Sequence, residues 1–331
     1  MNRHAKSGIS RQRGVALLTV LLMLSLLVVL ANELTLSFRG QLGRSQSLLQ
    51  RQQARWYAVS SEALAEQALR ESFKKESKVT NLDQYWAAEE RQFPVDGGLI
   101  SGKITDAQAC FNINALAKPS DTSKAKEDVD RHRESAIFKA LLEYLGVPVY
   151  EAQRISVSTR NWVSEKQDPD GAVDDDYLAL PMPYLSSRTL MRDVTEWRAV
   201  AGVSADVANK ILPYLCVLPT TQLAVNVNTI PKDRYELLAA LFIDQLPEDQ
   251  AKNILESRSE KGWATVSEFS AQPLLSNFNT KGVDSRLATV SHYFQMDASA
   301  SFGESSIRLS SLMMRSDKDD FVVVRRKFGG V

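Results

Sequence analysis

One apolar run near the N-terminus constrains this chain more than any other feature. Residues 15–31 carry no charged side chain, and only Thr19 and Ser25 interrupt the run with hydroxyl groups. A run of this length is at the short end of what crosses a bilayer, and further apolar positions up to Phe38 extend it. The residues before the run are basic, whereas the first ionisable residue after it is Glu33. The positive-inside rule therefore predicts one span, with a cytoplasmic N-terminus and the bulk of the chain across the membrane.

The alternative for this run is a secretory signal peptide, which would have a shorter apolar core followed by a small-x-small cleavage site. No such site lies near Ala31. The run instead begins directly after Arg13 and Gly14. An Arg-Gly pair before a long apolar helix resembles the cleavage site of type IV pilin-like precursors, in which a membrane peptidase removes a basic leader and leaves the span attached. The resemblance implies a leader of residues 1–14 and a mature chain that begins at Val15.

The composition argues against one class of partner and leaves the state of the cysteines open. The 40 basic and 40 acidic side chains cancel, so bulk charge gives no support for a nucleic-acid partner. The two cysteines, Cys110 and Cys216, both lie in the part of the chain that is predicted to be outside the cytoplasm. An oxidising compartment favours a disulfide between them, and the alternative is two separate buried thiols.

The segment after the apolar run is predicted to continue as a helix. From Glu33 to about Glu76 it contains no proline and is dominated by Ala, Leu, Gln, Arg and Glu, which favours helix. Apolar residues recur along it at spacings of three and four, as on one face of an amphipathic helix. An unbroken helix from Val15 would reach about 90 Å at the α-helical rise. A globular head must then cover its upper half.

Strand patterns lie on both sides of a long helical stretch. Pro94 and residues 96–98 are interpreted as a turn, residues 99–106 alternate as a strand, and residues 110–116 form a second short strand or bulged segment. Matching patterns return only after residue 288, where Ser306–Met314 and Phe321–Phe328 predict the last strands of a β-meander. If these strands share one sheet with residues 99–106, everything between them is an insertion.

The insertion is predicted to be helical, apart from a charged loop at residues 121–133. Its predicted helices cover residues 136–145, 150–163, 193–200, 205–215, 232–241, 247–258 and 266–270. Two parts of it, around Gly202 and Gly262, resemble halves of the helix-hairpin-helix units that hold the DNA backbone in other proteins. Asp206 follows the first hairpin and would repel phosphate, so packing or protein contact is the favoured role of these helices.

One acidic segment is a candidate metal site. Five carboxylates fall within nine residues around a glycine: Asp168, Asp170, Asp174, Asp175 and Asp176. Like charges at this density repel one another unless a cation compensates them, and hard oxygen ligands suit Ca²⁺. The alternative is a solvated acidic loop. Placement outside the cytoplasm favours calcium, because weak sites with a Kd of about 10⁻⁴–10⁻³ M are useful only where the ion is abundant.

Catalysis is the minority hypothesis. The three histidines, His4, His132 and His292, do not belong to a recognisable metal-binding or catalytic-triad pattern. No nucleophile elbow supports Ser-His-Asp chemistry, and the sequence has neither a Walker-type loop nor a dinucleotide fingerprint. A membrane-anchored hydrolase therefore has no assembled site in its favour.

Short motifs along nearly the whole chain resemble the protein K family, the large minor pseudopilins of type II secretion systems. They are Arg13-Gly14, Asp106, Phe111–Leu116, Asn161-Trp162, Gly171-Ala172, Asp174–Tyr177, Val194–Trp197, Tyr214–Pro219 and Val225–Thr229. The resemblance implies an α+β, pilin-like fold, in which a long N-terminal helix packs on an antiparallel sheet and a large all-α domain is inserted in the sheet. It also implies cleavage and N-methylation of Val15 by the prepilin peptidase, and assembly with minor pseudopilins I and J.

The resemblance gives Thr19 a meaning and qualifies the calcium prediction. Pilin-like proteins usually carry glutamate as the fifth mature residue, where it neutralises the terminal amine of the subunit ahead, and this family shares the absence of that glutamate. Thr19 is therefore what a tip subunit is expected to have. Where family members often have aspartates and an asparagine, this chain has Ser164, Lys166 and Arg188. Calcium binding is accordingly expected in a reduced or shifted form.

These expectations combine into a division of the chain and a function. The expected parts are a leader (1–14), a transmembrane and filament-core helix (15–38), a stem with the first strands (39–118), an inserted helical domain (119–285) and C-terminal strands (286–331). The expected protein is a non-enzymatic, single-pass subunit of the bacterial inner membrane with a periplasmic head, which initiates and caps the pseudopilus. Its further expected partners are the prepilin peptidase, the inner-membrane assembly platform and membrane lipid. The alternative is a membrane-anchored DNA-binding protein of a pilus or DNA-uptake machine.

Overall fold

The computed structural model describes five parts of the chain. They are residues 13–117, 125–243, 245–280, 282–316 and 320–329, with residues 13, 14 and 125–132 described by their backbone alone. The first twelve residues of the predicted leader lie outside the described residues.

A single helix, α1, runs from Arg13 to Lys75 and confirms the prediction of an unbroken helix. Its lower part is exposed, whereas its upper part packs against the sheet. The contact face is built from residues three, four or seven positions apart, among them Ala58, Ala65, Leu69 and Phe73, all of which are buried. Two lysines in the last turn complement the negative end of the helix dipole.

The chain forms nine strands in its described parts. In chain order they are β1 (Arg91–Val95), β2 (Gly98–Asp106), β3 (Phe111–Asn112), β4 (Leu215–Cys216), β5 (Val225–Asn226), β6 (Leu287–Ala288), β7 (Tyr293–Phe302), β8 (Ser305–Arg315) and β9 (Phe321–Phe328). The main sheet is antiparallel with the order β1-β2-β7-β8-β9, and the four short strands form two parallel pairs. The predicted meander and its pairing with residues 99–106 are confirmed.

The prediction of a turn at Pro94 and residues 96–98 is wrong for Pro94, because β1 occupies Arg91–Val95. Pro94 disfavours a central strand, but an edge strand tolerates it since one side of its backbone is unpaired. The turn itself is short and lies between Val95 and Gly98, which face each other in the ladder. Gly97 there has φ +68°, a conformation that glycine adopts without strain.

The core between α1 and the sheet is aromatic. Phe294 of β7 lies against Phe73, Trp86 and Phe321, with ring centroids 5.2–5.8 Å apart and mostly edge-to-face geometry. A salt bridge beside this core joins Glu62 of α1 to Arg326 of β9 at 2.5 Å. The helix and the sheet are therefore held together by burial at the centre and by a charged pair at the side.

The inserted domain begins where β2 ends, at Asp106, and finishes where β7 begins, at Tyr293. Its helices are α2 (Ala125–Tyr144), α3 (Val149–Val163), α4 (Asp174–Leu178), α5 (Ala205–Ile211), α6 (Tyr235–Leu241), α7 (Glu248–Ser257) and α8 (Val266–Ser270). Its own apolar core is separate from the core under the sheet. The charged loop predicted at residues 121–133 is wrong from Ala125 onward, because α2 begins there.

Three contacts fix the inserted domain against the last strand of the sheet. Lys327 of β9 lies 2.7 Å from the carboxylate of Asp193. Arg325, on the same strand, donates to the backbone carbonyls of Arg192 and Val217. Burial alone would raise the pKa of the Asp193 carboxyl, but the hydrogen bonds from Lys327 and Thr195 outweigh burial and lower that pKa to about 2.

Candidate functional site: assembly helix, junction and acidic segment

The lower half of α1 has no partner among the residues that the structure describes. It is the one described helix that is long and apolar enough to cross a membrane, and none of its most apolar stretch is buried. Large apolar side chains from Val15 to Leu30 are each more than half exposed. Leaving such a surface in water costs about 25 cal/mol per Å². Lipid or other apolar helices must therefore cover it.

The predicted processing residues lie in the first turns of this helix. Gly14 and Val15 are consecutive residues of α1. Cleavage of the peptide bond between them stays a prediction. The hydroxyl group of Thr19 donates to the backbone carbonyl of Ala16 at 2.9 Å. The one polar group at this position is thus satisfied within its own helix, and it requires no partner from a neighbouring subunit.

The two cysteines meet at the start of the inserted domain. Asn112 and Cys216 are paired across the parallel strands β3 and β4, which brings Cys110 within reach of Cys216. The two Cα atoms are 5.8 Å apart, and a disulfide joins the side chains across 106 positions of sequence. The bond therefore links the first residues of the inserted domain to its middle.

A buried carboxylate organises the junction between the sheet and the inserted domain. Oδ2 of Asp106 accepts hydrogen bonds from Ser291 at 2.5 Å, Thr229 at 2.6 Å and Asn226 at 2.9 Å. Oδ1 accepts from the backbone N–H of Gln108 at 2.8 Å. Burial raises the pKa of the Asp106 carboxyl, and the four donors oppose that rise. The network therefore joins the end of β2 to Asn226 and Thr229 of the inserted domain and to Ser291, which lies just before β7.

The acidic segment begins against helix α3. Asp168 forms an ion pair with Arg160, and its backbone N–H donates to Oδ1 of Asn161 at 2.7 Å. The amide nitrogen of Asn161 donates back to the carbonyls of Asp168 and Ala172, at 2.8 and 3.0 Å. Asp170 is exposed, and its backbone N–H donates to Oδ1 of Asp168 at 3.0 Å.

The second half of the segment is the short helix α4. Asp174 forms an ion pair with Arg188 and accepts hydrogen bonds from Ser186 at 2.7 Å and Gln167 at 3.1 Å. The Ser186 hydroxyl, followed by Gln167 and Arg188, lowers the pKa of the Asp174 carboxyl. The Asp176 carboxylate accepts from the backbone N–H ahead of α4 at 2.8 Å, as in a helix cap, whereas Asp175 is exposed.

The five carboxylates do not converge as the calcium prediction requires. Within the described residues, no group of three or more His, Cys, Asp or Glu side chains is arranged to hold a metal ion. Calcium takes six to eight oxygen ligands, commonly from several carboxylates. Here two of the carboxylates face arginines, one caps a helix and two point to solvent, so the donor set does not fit the ion.

Comparison with known proteins decides the family. A family model described as type II secretion system, protein K, matches residues 109–220, and a second model of the same description matches residues 225–291. The type II secretion system protein K of Aeromonas hydrophila is 37% identical over 324 residues, which cover 97% of this chain and 98% of that protein. This chain belongs to the type II secretion system protein K family. The protein K of Klebsiella pneumoniae is likewise 37% identical, over 96% of this chain.

A solved relative supports the fold of this protein K family member. The crystal structure of the GspK–GspI–GspJ complex from enterotoxigenic Escherichia coli contains a chain that matches with a TM-score of 0.78 and 34% identity. The match covers 87% of this chain and 100% of that chain. The predicted family and the predicted fold class are confirmed. The chain is a minor pseudopilin, a structural component of secretion machinery.

The hairpin-like parts of this pseudopilin are occupied by its own side chains. Gly262, with φ +62°, lies against Asn228, whose Oδ1 accepts the N–H of Trp263 at 2.8 Å. Gly202, with φ +88°, lies against Ile155. A hairpin that binds phosphate must present free amides. The packing of both glycines therefore favours a structural role for these helices.

Sequence reasoning missed the cationic partners in the acidic segment and the role of Asp106. Arg188 is 14 positions from Asp174, and the loop between them has no periodic pattern that would place the two together. Asp106 ends a strand, and that position by itself gives no sign of a buried carboxylate. The signal that could have found its role is the group of small polar residues at the return, Asn226, Thr229 and Ser291, in an otherwise apolar neighbourhood.

Proposed function

We propose that this minor pseudopilin initiates and caps the periplasmic pseudopilus in a complex with minor pseudopilins I and J, and thereby supports export of folded proteins through the outer membrane. The observation that carries the proposal is the continuity of α1 from Arg13 to Lys75. One rigid helix joins an uncovered apolar surface to a stem that is buried in the head. Packing of the apolar halves of such helices side by side builds a filament core.

The residue at position 19 supports a place at the tip. With cleavage after Gly14, Thr19 is the fifth residue of the mature chain. A carboxylate at this depth of the membrane is costly unless it meets a cation, such as the terminal amine of a subunit ahead. Thr19 satisfies its hydroxyl group within α1, so the helix needs no subunit ahead of it.

The inserted domain also favours the tip. It contributes a second apolar core to a head that already has one beneath the sheet. A domain of this bulk obstructs the close helical repetition of identical subunits along a fibre, whereas the end of a fibre has room for it.

The proposed life cycle follows from the N-terminal segment. The prepilin peptidase cleaves between Gly14 and Val15 and methylates the new terminal amine of Val15. The span then holds the chain in the bacterial inner membrane, with the N-terminus in the cytoplasm and the head in the periplasm, in contact with lipid and the assembly platform. The role is structural, and no chemical step is assigned to the head.

Co-purification from membranes tests the proposal. The full-length chain carrying an affinity tag is expressed with untagged minor pseudopilins I and J, extracted in mild detergent and captured. We expect both partners to be retained in a fixed ratio, and single co-expressions with I or with J show which contact is direct. Absence of both partners from the captured material would overturn the proposal. Salt-dependent binding of DNA by the purified chain would support the alternative function instead.

A further inference from the structure

The acidic segment of residues 168–176 is compensated by side chains of the same chain. Arg160 of α3 contacts the carboxylate of Asp168, and Arg188 of the following loop contacts the carboxylate of Asp174. We propose that these two arginines are the resident cations of the segment, so that the segment folds without a bound divalent metal ion. This inference goes beyond the proposed function and does not depend on it.

The environment of Asp174 supports this replacement of a metal ion. Its Oδ1 accepts hydrogen bonds from Ser186 and Gln167, and its Oδ2 faces the guanidinium group of Arg188. Both carboxylate oxygens therefore already have donors from the protein. A calcium ion at this carboxylate would have to displace a tethered cation that carries its own hydrogen-bond donors.

The backbone of Arg188 shows how firmly this contact is held. Its φ is +50°, in the left-handed region that long side chains avoid. Such a conformation persists only where the surroundings hold it. The guanidinium group reaches Oδ2 of Asp174 and also Oε1 of Gln167, at 3.4 Å. The strained backbone therefore directs the cation onto the start of α4.

The second arginine fixes the other end of the segment to α3. The Arg160 side chain is only 13% exposed, so its ion pair with Asp168 is shielded from solvent more than a surface pair is. The neighbouring Asn161 holds the backbone of Asp168 and Ala172 through three hydrogen bonds. These contacts come from Arg160 and Asn161, so removal of metal ions from the solution should leave them intact.

The first experiment needs no variant. The full-length chain, purified in detergent, is unfolded by heat in EDTA, in about 5 mM calcium and in about 5 mM magnesium, concentrations above the Kd of weak extracellular calcium sites. We expect the three midpoints to agree within about 1 °C. A calcium-specific rise of the midpoint, or calorimetric heat of calcium binding to the wild-type chain, would overturn the proposal.

The second experiment removes one resident cation. Arg188→Asn deletes the guanidinium group, while asparagine tolerates the left-handed backbone better than most residues do. We expect its midpoint in EDTA to fall by at least about 2 °C. Arg198→Asn is the matched control, because Arg198 is an exposed arginine of the same domain with no hydrogen bond or ion pair of its side chain among the described residues. Equal midpoints for the two variants would refute a role for Arg188.

Discussion

The side-chain amide of Asn226 donates to the carboxylate of Asp106 at 2.9 Å and to the backbone carbonyl of Thr80 at 3.2 Å, in the buried centre of the junction. One amide thus links three distant parts of the chain: the segment after α1, the end of β2 and the inserted domain. The orientation of the inserted domain on the stem depends on this polar centre as well as on apolar packing.

Replacement of Asp106 by asparagine is expected to destabilise the junction. An asparagine side chain presents an amide group to donors that now face carboxylate oxygens, so one donor meets another whichever way the amide is turned. We expect the free energy of unfolding to fall by about 2 kcal/mol. Urea unfolding of the full-length chain in detergent measures the change. Asp297→Asn, at an exposed position of β7, should have little effect, and an equal loss in both variants would contradict the argument.

The pair formed by Asp193 and Lys327 should make stability depend on acid pH. The pKa of Asp193 is about 2 in the folded chain against an ordinary value of 3.8. A lowered pKa stabilises the fold above pH 3.8, and this contribution is lost as the pH falls towards 2. Because the pair is partly exposed, we expect Asp193→Asn to cost about 1 kcal/mol at pH 7.

The difference between the wild-type chain and Asp193→Asn should therefore narrow as unfolding is measured at successively lower pH. Asp83→Asn is the control, since Asp83 is exposed and its side chain accepts no hydrogen bond within the described residues. A difference between Asp193→Asn and the wild-type chain that is constant from pH 7 to pH 3 would show that the charge of Asp193 is not the cause.

Loss of the disulfide should weaken the inserted domain. The bond between Cys110 and Cys216 closes a loop of 106 positions, and a loop of that size is worth about 3–5 kcal/mol in the chain-entropy account. Replacing both cysteines by serine should lower the unfolding midpoint. Reducing the disulfide of the wild-type chain should lower that midpoint to the same value. Two alkylatable thiols in the native, non-reduced protein would rule the bond out.

Alanine substitutions at Gly262 and Gly146 separate the cost of a steric clash from the cost of a left-handed backbone conformation. A Cβ atom there would lie 2.2 Å from Oδ1 of Asn228, and the residue also has φ +62°. Gly146 has φ +84°, but among the described residues no atom beyond its two chain neighbours lies within 4 Å of the place of its Cβ atom. We expect Gly146→Ala to cost about 1 kcal/mol and Gly262→Ala at least about 2 kcal/mol. Equal losses of stability would show that Asn228 moves aside without cost.

Replacement of Thr19 by glutamate tests the place at the tip. The variant should still insert in the membrane, because the cost of one carboxylate is outweighed by the apolar side chains of the rest of the span. We expect it to initiate fewer filaments than the wild-type chain, counted as pseudopili per cell, while Thr19→Ser initiates them normally. Normal initiation by Thr19→Glu would refute the argument that the missing carboxylate marks the tip.

The long helix and the strands were predictable because each depends on a pattern of neighbouring residues. The segment from Arg13 to Lys75 lacks proline and keeps one apolar face, and the residues of β2 and β9 alternate. Pro94 concealed β1, since proline excludes a central strand but not an edge strand. The start of α2 was missed for a different reason: residues 125–133 are highly charged, and the segment was therefore interpreted as a loop.

The polar centres could not be predicted from local pattern. The carboxylate of Asp106 meets Asn226 and Ser291, which are 120 and 185 positions away, and only the tertiary fold brings them together. The predicted calcium ligands were chosen because they are close in sequence. Proximity in sequence did not make them converge, because Arg160 and Arg188 approach from α3 and from the following loop.

The strands on either side of the insertion are direct neighbours, with Asp106 opposite Phe294 in the ladder and Ala107 bonded to Tyr293 at 3.0 Å. The two ends of the inserted domain therefore leave the sheet at one point. A short β-turn would be enough to join β2 to β7 directly, and the remaining chain would keep its helix and all five strands. In evolutionary terms, a small fibre subunit could acquire this domain through a single hairpin loop without any change to the order of its strands.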